Sequence, residues 1–269
     1  LVMLLGLLPG TAWAAGDEIA VRIGAQAAGS LLCAPQEQVK VSADLAESYG
    51  YEDEVDGVSA LDVLVRIHEI IFGESFTAET AESMLKVSSG YITCVFGIET
   101  SAFGVAVNGE APMDKTTIFP GGDGYAESYL GLSITQTAIQ EGDLVEFFVY
   151  QDTSFYSDYY TWLATEEGRV DYVVAQTNEP MSLSVKGYCY AFYSTTTDLS
   201  LRDGSALATY GACEDLPVVL VAADTGAVTE TGVTADENGD FIISFDTAGT
   251  YFLSVQGDEY TSVIMPWCV

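Results

Sequence analysis

Basic residues are scarce in this chain. It has 8 lysines and arginines against 40 aspartates and glutamates among 269 residues, which gives a formal net charge of −32 at pH 7. A surface with this charge repels the phosphates of nucleic acids and the headgroups of anionic lipids. The composition therefore excludes nucleic acids as partners and anionic membrane surfaces as binding sites.

Histidine is nearly absent as well, and His68 is the single example. A Ser-His-Asp or Cys-His mechanism, or a metal site with several histidines, would have to use this residue. His68 lies on the apolar face of a predicted helix, which favours a hydrogen-bonded core histidine over a catalytic base in an open pocket. The GxSxG, HExxH and SxxK patterns are also missing, so we predict no catalytic residue, no metal site and no cofactor.

Cysteines are few and widely spaced in the sequence. Five of them in a chain of this length do not build a disulfide scaffold, and no CxxC or Cys/His spacing indicates a metal site. A bridge between Cys33 and Cys94, or between two of Cys189, Cys213 and Cys268, is geometrically conceivable. We expect most of them to be buried as small apolar side chains.

Long hydrophobic runs are missing beyond the first residues, since no later stretch approaches the roughly 18 apolar residues needed to span a bilayer. Residues 1–15 are uncharged and apolar and contain a small-x-small pattern, AWA at 12–14, which is typical of a secretory signal. The chain begins with Leu1 and has no basic residue before Arg22, so we expect the charged start of the signal to be missing. The mature protein is expected to be secreted, or attached to a cell surface through sequence outside this chain.

The segment from Ser59 to Phe72 predicts a buried helix. Ser59 supplies an N-cap hydroxyl, and Asp62 three positions later approximates a capping box. The apolar residues that follow recur at helical spacing and leave only a narrow polar stripe, which indicates burial on most sides. A second, shorter helix is predicted from Thr77 through about Lys86.

Residues 90–110 predict a β-hairpin. Two strand-forming runs, 91–96 and 103–108, flank a short connection that contains glycine, and an Asn-Gly pair at 108–109 supplies a turn. In the second run, bulky residues alternate with Gly104, Ala106 and Asn108, so one face of the strand is nearly bare. We expect a packed helix to cover this bare face, with a bound ligand as the alternative.

Four segments in order, SALDVLVRIHEI, GYITCVFGIE, FGVAVNGE and IQEGDLVEFFVY, resemble the bacterial domain family related to the C-terminal domain of transcobalamin and intrinsic factor. The resemblance covers residues 17–165 and implies a β-grasp-like sheet with packed helices. In the vertebrate relatives this domain closes over cobalamin, whereas most bacterial members have no assigned ligand. The family often has Trp where this chain has Phe103, so corrin binding is not implied by these residues.

A second, all-β region is predicted beyond the linker-like Asn-Glu-Pro at 178–180. Short strands with turns between them are expected at 181–187, 216–222, 228–234, 241–245 and 251–255. The segment DENGDFIISFDTAGTYFLSV resembles the final hairpins of bacterial immunoglobulin-like domains, which implies a supporting sandwich. We therefore predict a signal at 1–15, an α+β, β-grasp-like domain at 16–178 and an immunoglobulin-like β-sandwich at 179–269.

An aromatic run after Tyr150 is the best candidate for a contact surface in the sequence. Aromatic rings interleaved with carboxylates suit sugar rings or a protein partner. The alternative is packing in the interior, because large aromatic side chains are more often buried than displayed. The candidate ligand-binding residues are Phe155, Tyr156, Tyr159, Tyr160, Trp162, Asp152 and Asp158, beside an exposed loop at 119–124.

These observations predict a non-catalytic, exported binding or adhesion-type protein with an unidentified extracellular ligand. One alternative is a scavenging protein for a small, corrinoid-like ligand. A second alternative is a glycan-active enzyme, because the separation of a catalytic carboxylate pair is a three-dimensional quantity that the 40 acidic residues do not reveal.

Overall fold

The computed structural model describes residues 18–27, 30–122, 124–153, 158–209, 213–222, 224–257 and 267–268, so the predicted signal segment lies outside the described residues. Strands make up most of the regular structure, and helices are few. The helices are α1 (Ala60–Phe72), α2 (Tyr190–Tyr193) and α3 (Ala206–Thr209). The strands are β1 (Glu18–Ala27), β2 (Ser30–Ser42), β3 (Lys86–Ser88), β4 (Tyr91–Val95), β5 (Ile98–Glu99), β6 (Phe103–Val107), β7 (Met113–Phe119), β8 (Ser128–Gly131), β9 (Leu144–Val149), β10 (Tyr159–Thr165), β11 (Gly168–Arg169), β12 (Met181–Cys189), β13 (Pro217–Val221), β14 (Val228–Thr234), β15 (Asp240–Ile243), β16 (Phe252–Val255) and β17 (Trp267–Cys268).

A mixed four-stranded sheet in the order β2-β1-β9-β6 organises the first half of the chain. β1 is antiparallel to β2 and parallel to β9, and β6 is antiparallel to β9. Because side chains alternate along β9, Val145 and Phe147 face one side of this central sheet and Phe148 faces the other. The central sheet therefore contributes to two separate cores.

The helix-side core lies on one face of the central sheet, where α1 packs against β1, β2 and β9. α1 begins as predicted: the Ser59 hydroxyl accepts the Asp62 N–H at 3.0 Å, and the Asp62 carboxylate accepts the Ser59 N–H at 2.8 Å. Asp62 also accepts the Ala46 N–H at 2.7 Å and is fully buried, and this burial raises its pKa. The capping box thus ties the start of α1 to the chain that follows β2.

The aromatic core lies behind the other face of the central sheet. It is closed by two further sheets, β11-β10-β12-β15 and β14-β13-β16-β17, whose apolar residues share one cluster with Ala106 and Phe148. Several rings meet at close range, including Phe148 with Tyr190 at 4.9 Å and Tyr160 with Tyr188 at 6.0 Å between centroids. Edge and tilted ring contacts of this kind favour a rigid interior.

Strand pairing crosses the predicted boundary at 178/179. β10, which precedes it, pairs with β12, which follows it, from Tyr159 opposite Cys189 to Ala164 opposite Ser184. The backbone hydrogen bonds of one sheet therefore cross the position where the sequence indicated a linker. The strands predicted at 181–187, 228–234 and 251–255 are confirmed within a few residues.

The predicted hairpin at 91–108 is wrong. Phe96 and Gly97 both have positive φ (53° and 75°), which turns the chain back at once, so β4 pairs with β5 and β3. β6 pairs instead with β9, and the Asn108-Gly109 turn follows β6 as expected, with φ of 51° and 83°. A tight turn earlier than predicted left β6 available for the central sheet.

The bare face of β6 receives aromatic rings and not the predicted helix. A Cβ added at Gly104 would lie 2.2 Å from the Phe148 ring, so only glycine fits there. The helix contacts the opposite, bulky face, since Val105 belongs to the helix-side core and Ala106 to the aromatic core. The glycine thus admits Phe148 and leaves no room for a ligand on that face.

The second predicted helix, 77–86, is also wrong. Only Ala81–Ser83 forms a short 3-10 turn, and the chain then enters β3. The Thr80 hydroxyl accepts the Thr77 N–H at 2.9 Å and donates to the Ser75 carbonyl at 2.7 Å. These side-chain bonds compete with helical backbone bonds and hold a turn.

Two further expectations concern the cysteines and the helices in the described part of the chain. Cys33, Cys94 and Cys213 are buried, as expected for small apolar side chains, and no disulfide joins them. None of the helices in the described part of the chain has the length and apolar composition needed to cross a bilayer.

Candidate functional site

The structure places the best-defined members of the predicted aromatic surface in the interior. Tyr160 is fully buried and Trp162 is 9% exposed, both in the aromatic core, whereas Tyr159 is half-buried. Phe155 and Tyr156 lie outside the described residues. Tyr160 and Trp162 therefore pack the fold and are not available as surface contacts.

The two predicted acidic site residues sit in the turn before β10. Asp158 is buried, and its carboxylate accepts the backbone N–H groups of Gln151 at 2.7 Å and Asp152 at 2.9 Å. Asp152 is half-buried. Asp158 thus holds the turn after β9, and the structure does not bring the 119–124 loop into the sheet that contains β10.

His68 is a core residue, as the sequence indicated. Its Nδ1–H donates to the Leu64 carbonyl at 2.8 Å, and its Nε2 accepts the Phe96 N–H at 3.0 Å. The ring is fully buried and stacks on Phe96, with centroids 5.0 Å apart. Burial lowers the pKa of His68 to about 4, so the ring is neutral at pH 7. Both ring nitrogens are used for structure, which leaves none for acid–base chemistry.

The Glu146 cluster, formed by Glu146, Tyr160, Arg169, Asp171 and Arg22, is the main group of buried ionisable side chains. The Tyr160 hydroxyl donates to Glu146, and the Arg169 guanidinium donates to the Tyr160 hydroxyl at 3.1 Å and lies 4.0 Å from the Glu146 carboxylate. Asp171 then bridges Arg169 at 4.0 Å and Arg22 at 3.1 Å. The chain of charges runs from the interior to the surface.

Burial raises the pKa of Glu146, although Arg169 and the Tyr160 hydroxyl oppose the shift. Its Oε1 atom has no hydrogen-bond partner among the residues that the structure describes, and the residue is completely buried. Arg169 also covers the Tyr160 and Trp162 rings, with its guanidinium carbon 5.6 Å from each centroid. This geometry joins the central sheet to β10 and β11 through charge and ring contacts.

A pocket of about 370 Å³ lies over the outer end of the Glu146 cluster, where Arg22, Asn108, Arg169 and Asp171 line it. Its two guanidiniums already face Asp171, so an incoming anion would compete with an existing ion pair. Glu146 itself does not line this pocket. The cluster is therefore best explained as a structural link between sheets.

A cleft of about 660 Å³ lies beside the free edge of the central sheet. β6 forms one wall and β4 the opposite wall, while β8, residues 132–136 and the end of α2 close the remaining sides. Gly90 keeps the far wall tight, because a Cβ there would lie 2.8 Å from the Ser133 side chain. We refer to this opening as the cleft.

The lining of the cleft is mixed in polarity and almost entirely uncharged. Its apolar part includes Ile92, Phe103, Val105, Leu130, Leu132 and Ile134, and its hydroxyl groups come from Ser89, Tyr91, Thr93, Ser101, Ser133, Tyr190, Ser194 and Thr195. Glu54 is the single charged side chain among the described residues that line it, and it accepts hydrogen bonds from Thr135 and Gln136 at 3.3 and 3.2 Å. A volume and lining of this kind are typical of a site for a small or extended neutral ligand.

Metal and catalytic chemistry find little support in the described part of the chain. No group of three or more His, Cys, Asp or Glu side chains is placed there to hold a metal ion. The described lining of the cleft contains no His, Cys, Lys, Arg or Asp that could activate one of its hydroxyls. The cleft offers apolar contacts and hydroxyl groups that can form hydrogen bonds.

Sequence reasoning missed both the Glu146 cluster and the cleft. A signal for the first exists in LVEFFVY, where a single carboxylate interrupts a strand of apolar residues. The cleft had no such signal, because its residues come from six separate segments between 54 and 195. No protein-family model matches the chain, and no curated protein matches it.

Proposed function

We propose that this chain is an exported, non-catalytic binding protein whose ligand site is the cleft. The observation that carries the proposal is the cleft itself, which has a volume of about 660 Å³, apolar side chains and hydroxyl groups in its lining, and one charged side chain among its described residues. Ligand sites of proteins combine apolar walls with a few polar groups in this way. The ionisable groups suited to catalysis are instead used in the cores, as His68 and Glu146 illustrate.

The architecture supports a binding domain held by a second, all-β region. A mixed sheet with a central parallel pair and one helix across it is the arrangement expected of a β-grasp-like domain. The two sheets around the aromatic core suit a sandwich that supports it, in line with the immunoglobulin-like resemblance. In this proposal the shared core fixes the walls of the cleft, because Tyr190 belongs to both.

The cleft favours binding over glycan hydrolysis. Glycoside hydrolases place two carboxyl groups about the scissile bond, whereas Glu54 is the single carboxylate among the described lining residues. A corrinoid-like ligand remains an alternative occupant of the same cleft, but none of the described lining residues selects such a ligand.

Obstruction of the cleft tests the proposal. A Cβ at Gly131 meets only the Thr195 methyl, at 3.7 Å, so Gly131→Trp places a ring at the cleft with little cost to the fold. Gly122→Trp is the matched control, because Gly122 has open space around it and does not line the cleft. The probes are N-acetylated amino-acid amides and N-acetylglucosamine, measured by ligand-observed NMR. We expect binding to the parent chain and to Gly122→Trp, and its loss in Gly131→Trp; equal binding by all three proteins would overturn the site.

A further inference from the structure

β6 is an edge strand, and its free edge lines the cleft. Its even-numbered residues bond to β9, as shown by the flanking bonds from the Asn108 N–H to the Leu144 carbonyl and from the Tyr150 N–H to the Ala102 carbonyl. The backbone groups of Phe103, Val105 and Val107 therefore point away from β9. Phe103, Gly104 and Val105 line the cleft.

Most of these outward groups have partners within the chain. The Phe103 N–H donates to the Ser101 carbonyl at 3.0 Å, and Val107 exchanges two bonds with Glu110 at 2.8 and 3.1 Å. The Val105 carbonyl accepts the Tyr190 hydroxyl. The Phe103 carbonyl and the Val105 N–H are left, and neither bonds to any of the described residues. Val105 lines the cleft, so its N–H, which points away from β9, can reach a partner that enters the cleft.

We propose that the cleft binds an extended, uncharged peptide segment of another molecule as a parallel strand against β6. In a parallel ladder, a residue of one strand lies opposite a residue of the other strand. It donates its N–H to the carbonyl of the residue that precedes this neighbour, and its carbonyl accepts the N–H of the residue that follows this neighbour. The Phe103 carbonyl and the Val105 N–H flank Gly104 in this way. One peptide residue opposite Gly104 therefore satisfies both groups, by the strand-addition mode of peptide recognition.

Two other occupants fit the open pair less well. An antiparallel strand needs the N–H and the carbonyl of the same residue, but the Val105 carbonyl is already bonded to Tyr190 and the Phe103 N–H to Ser101. A ligand with a single trans amide, such as an N-acetylated sugar, has its N–H and carbonyl on opposite sides and reaches only one of the two groups. An amino-acid residue within a chain presents both on one side.

The charge and the apolar lining of the cleft restrict which peptide side chains it can bind. Glu54 and the net charge of −32 repel acidic segments, and the apolar lining favours uncharged side chains. This inference rests on the proposed function of the cleft and specifies its ligand class.

Backbone methylation of a defined peptide tests the two-bond contact. The probe is N-acetyl-Ala-Val-Ala amide, titrated into the isotope-labelled full chain and followed by the amide resonances of Gly104 and Val105. The same peptide with an N-methylated valine cannot donate to the Phe103 carbonyl. We expect it to bind at least about tenfold more weakly, because it leaves that carbonyl without a donor. Equal affinity for the two peptides would overturn the proposal.

Two protein variants give the complementary result. Val105→Pro removes the outward N–H without touching the bonds to β9, a position where an edge strand accepts proline. Val105→Ala is the control, which loses a similar part of the side chain and keeps the N–H. We expect peptide binding to survive in Val105→Ala and to fall at least about tenfold in Val105→Pro; equal binding by both would contradict the contact. If Val105→Pro does not fold, the methylated peptide decides alone.

The probes also separate this inference from the proposed function. Binding of N-acetylglucosamine that Gly131→Trp abolishes, with no binding of the tripeptide, would leave the cleft as a ligand site and overturn the peptide. Loss of every probe response in the parent chain would overturn both.

Discussion

The interior and the cleft of this molecule use polar groups in opposite ways. On the helix side of the central sheet, His68 has both ring nitrogens bonded, and on the other side the Glu146 cluster links three elements through Tyr160 and Arg169. In the cleft, two backbone groups of β6 stay open and almost all side chains are neutral. The comparison teaches that the reactive side chains stabilise the fold, whereas recognition is left to the backbone of an edge strand.

The largest expected effect comes from a ring in the aromatic core. Trp162→Ala should lower the free energy of unfolding by about 3 to 5 kcal/mol, because it removes a large buried ring and a surface that Arg169 covers. Tyr159→Ala, at the half-buried end of the same strand, is the control and should cost clearly less. Urea unfolding of both variants measures this. Similar losses in the free energy of unfolding for the two variants would mean that Trp162 does not stabilise the aromatic core as described.

The pH dependence of stability distinguishes the two buried polar centres. The folded pKa of His68 is lowered to about 4 from 6.5, so the unfolded chain binds the proton more tightly. Stability is therefore complete above about pH 6.5 and falls as the pH drops toward 4, by about 3 kcal/mol from this residue. Glu146 acts in the opposite direction, since its raised pKa lets the folded state hold a proton more tightly.

His68→Gln isolates the contribution of His68 to the pH dependence of stability. It should be less stable than the parent at pH 7, and the loss of stability between pH 6.5 and pH 4 should shrink by about 3 kcal/mol. Urea unfolding across that range provides the measurement. An unchanged slope would show that His68 is not held neutral by burial.

A smaller effect is expected within the Glu146 cluster. Glu146→Gln keeps the shape and an acceptor for Tyr160 but removes the charge beside Arg169, which should cost about 2 kcal/mol of stability. Asp171→Asn, at the partly exposed end of the cluster, should cost less than about 1 kcal/mol. Chemical unfolding at pH 7 compares them. A larger loss of stability in Asp171→Asn than in Glu146→Gln would contradict the claim that the buried end of the cluster contributes more than the exposed end.

The smallest stability effect is predicted in the cleft. Gly131→Trp should change the free energy of unfolding by less than about 1 kcal/mol, because the added side chain starts in open space. Thermal unfolding beside Gly122→Trp checks this. A strong destabilisation by Gly131→Trp alone would mean that the cleft walls are part of the packed interior, and the contrast between interior and cleft would fail.

Local sequence patterns predicted the parts of the fold that depend on neighbouring residues. The capping box at Ser59, the buried helix and the Asn108-Gly109 turn follow from residues within a few positions of one another. The strand that pairs with β6 did not follow from the sequence. The choice between β4 and β9 depends on a turn at Phe96, and phenylalanine rarely adopts the positive φ that this turn requires. The pairing of β10 with β12 across 178/179 did not follow either, since strand pairing across a linker leaves no local signal.

The candidate site was less accessible to sequence reasoning than the fold. The aromatic run is compatible with either a core or a contact surface, and only the three-dimensional structure shows that Tyr160 and Trp162 are buried. The open pair on β6 consists of backbone atoms, which every residue has, so no residue type marks it. Alternation did indicate that Gly104 admits a close neighbour, and that neighbour is Phe148.

Amide hydrogen exchange along β6 tests the central claim most directly. In the ladder, the Gly104 and Ala106 amides belong to residues that pair with β9, whereas the Val105 N–H faces the cleft without a partner among the described residues. We expect the Val105 amide of the full chain to exchange much faster than its two neighbours, and to become protected when N-acetyl-Ala-Val-Ala amide is added. A Val105 amide as slow as Gly104 and Ala106 in the free protein, or one that the peptide leaves unprotected, would contradict the proposed peptide site.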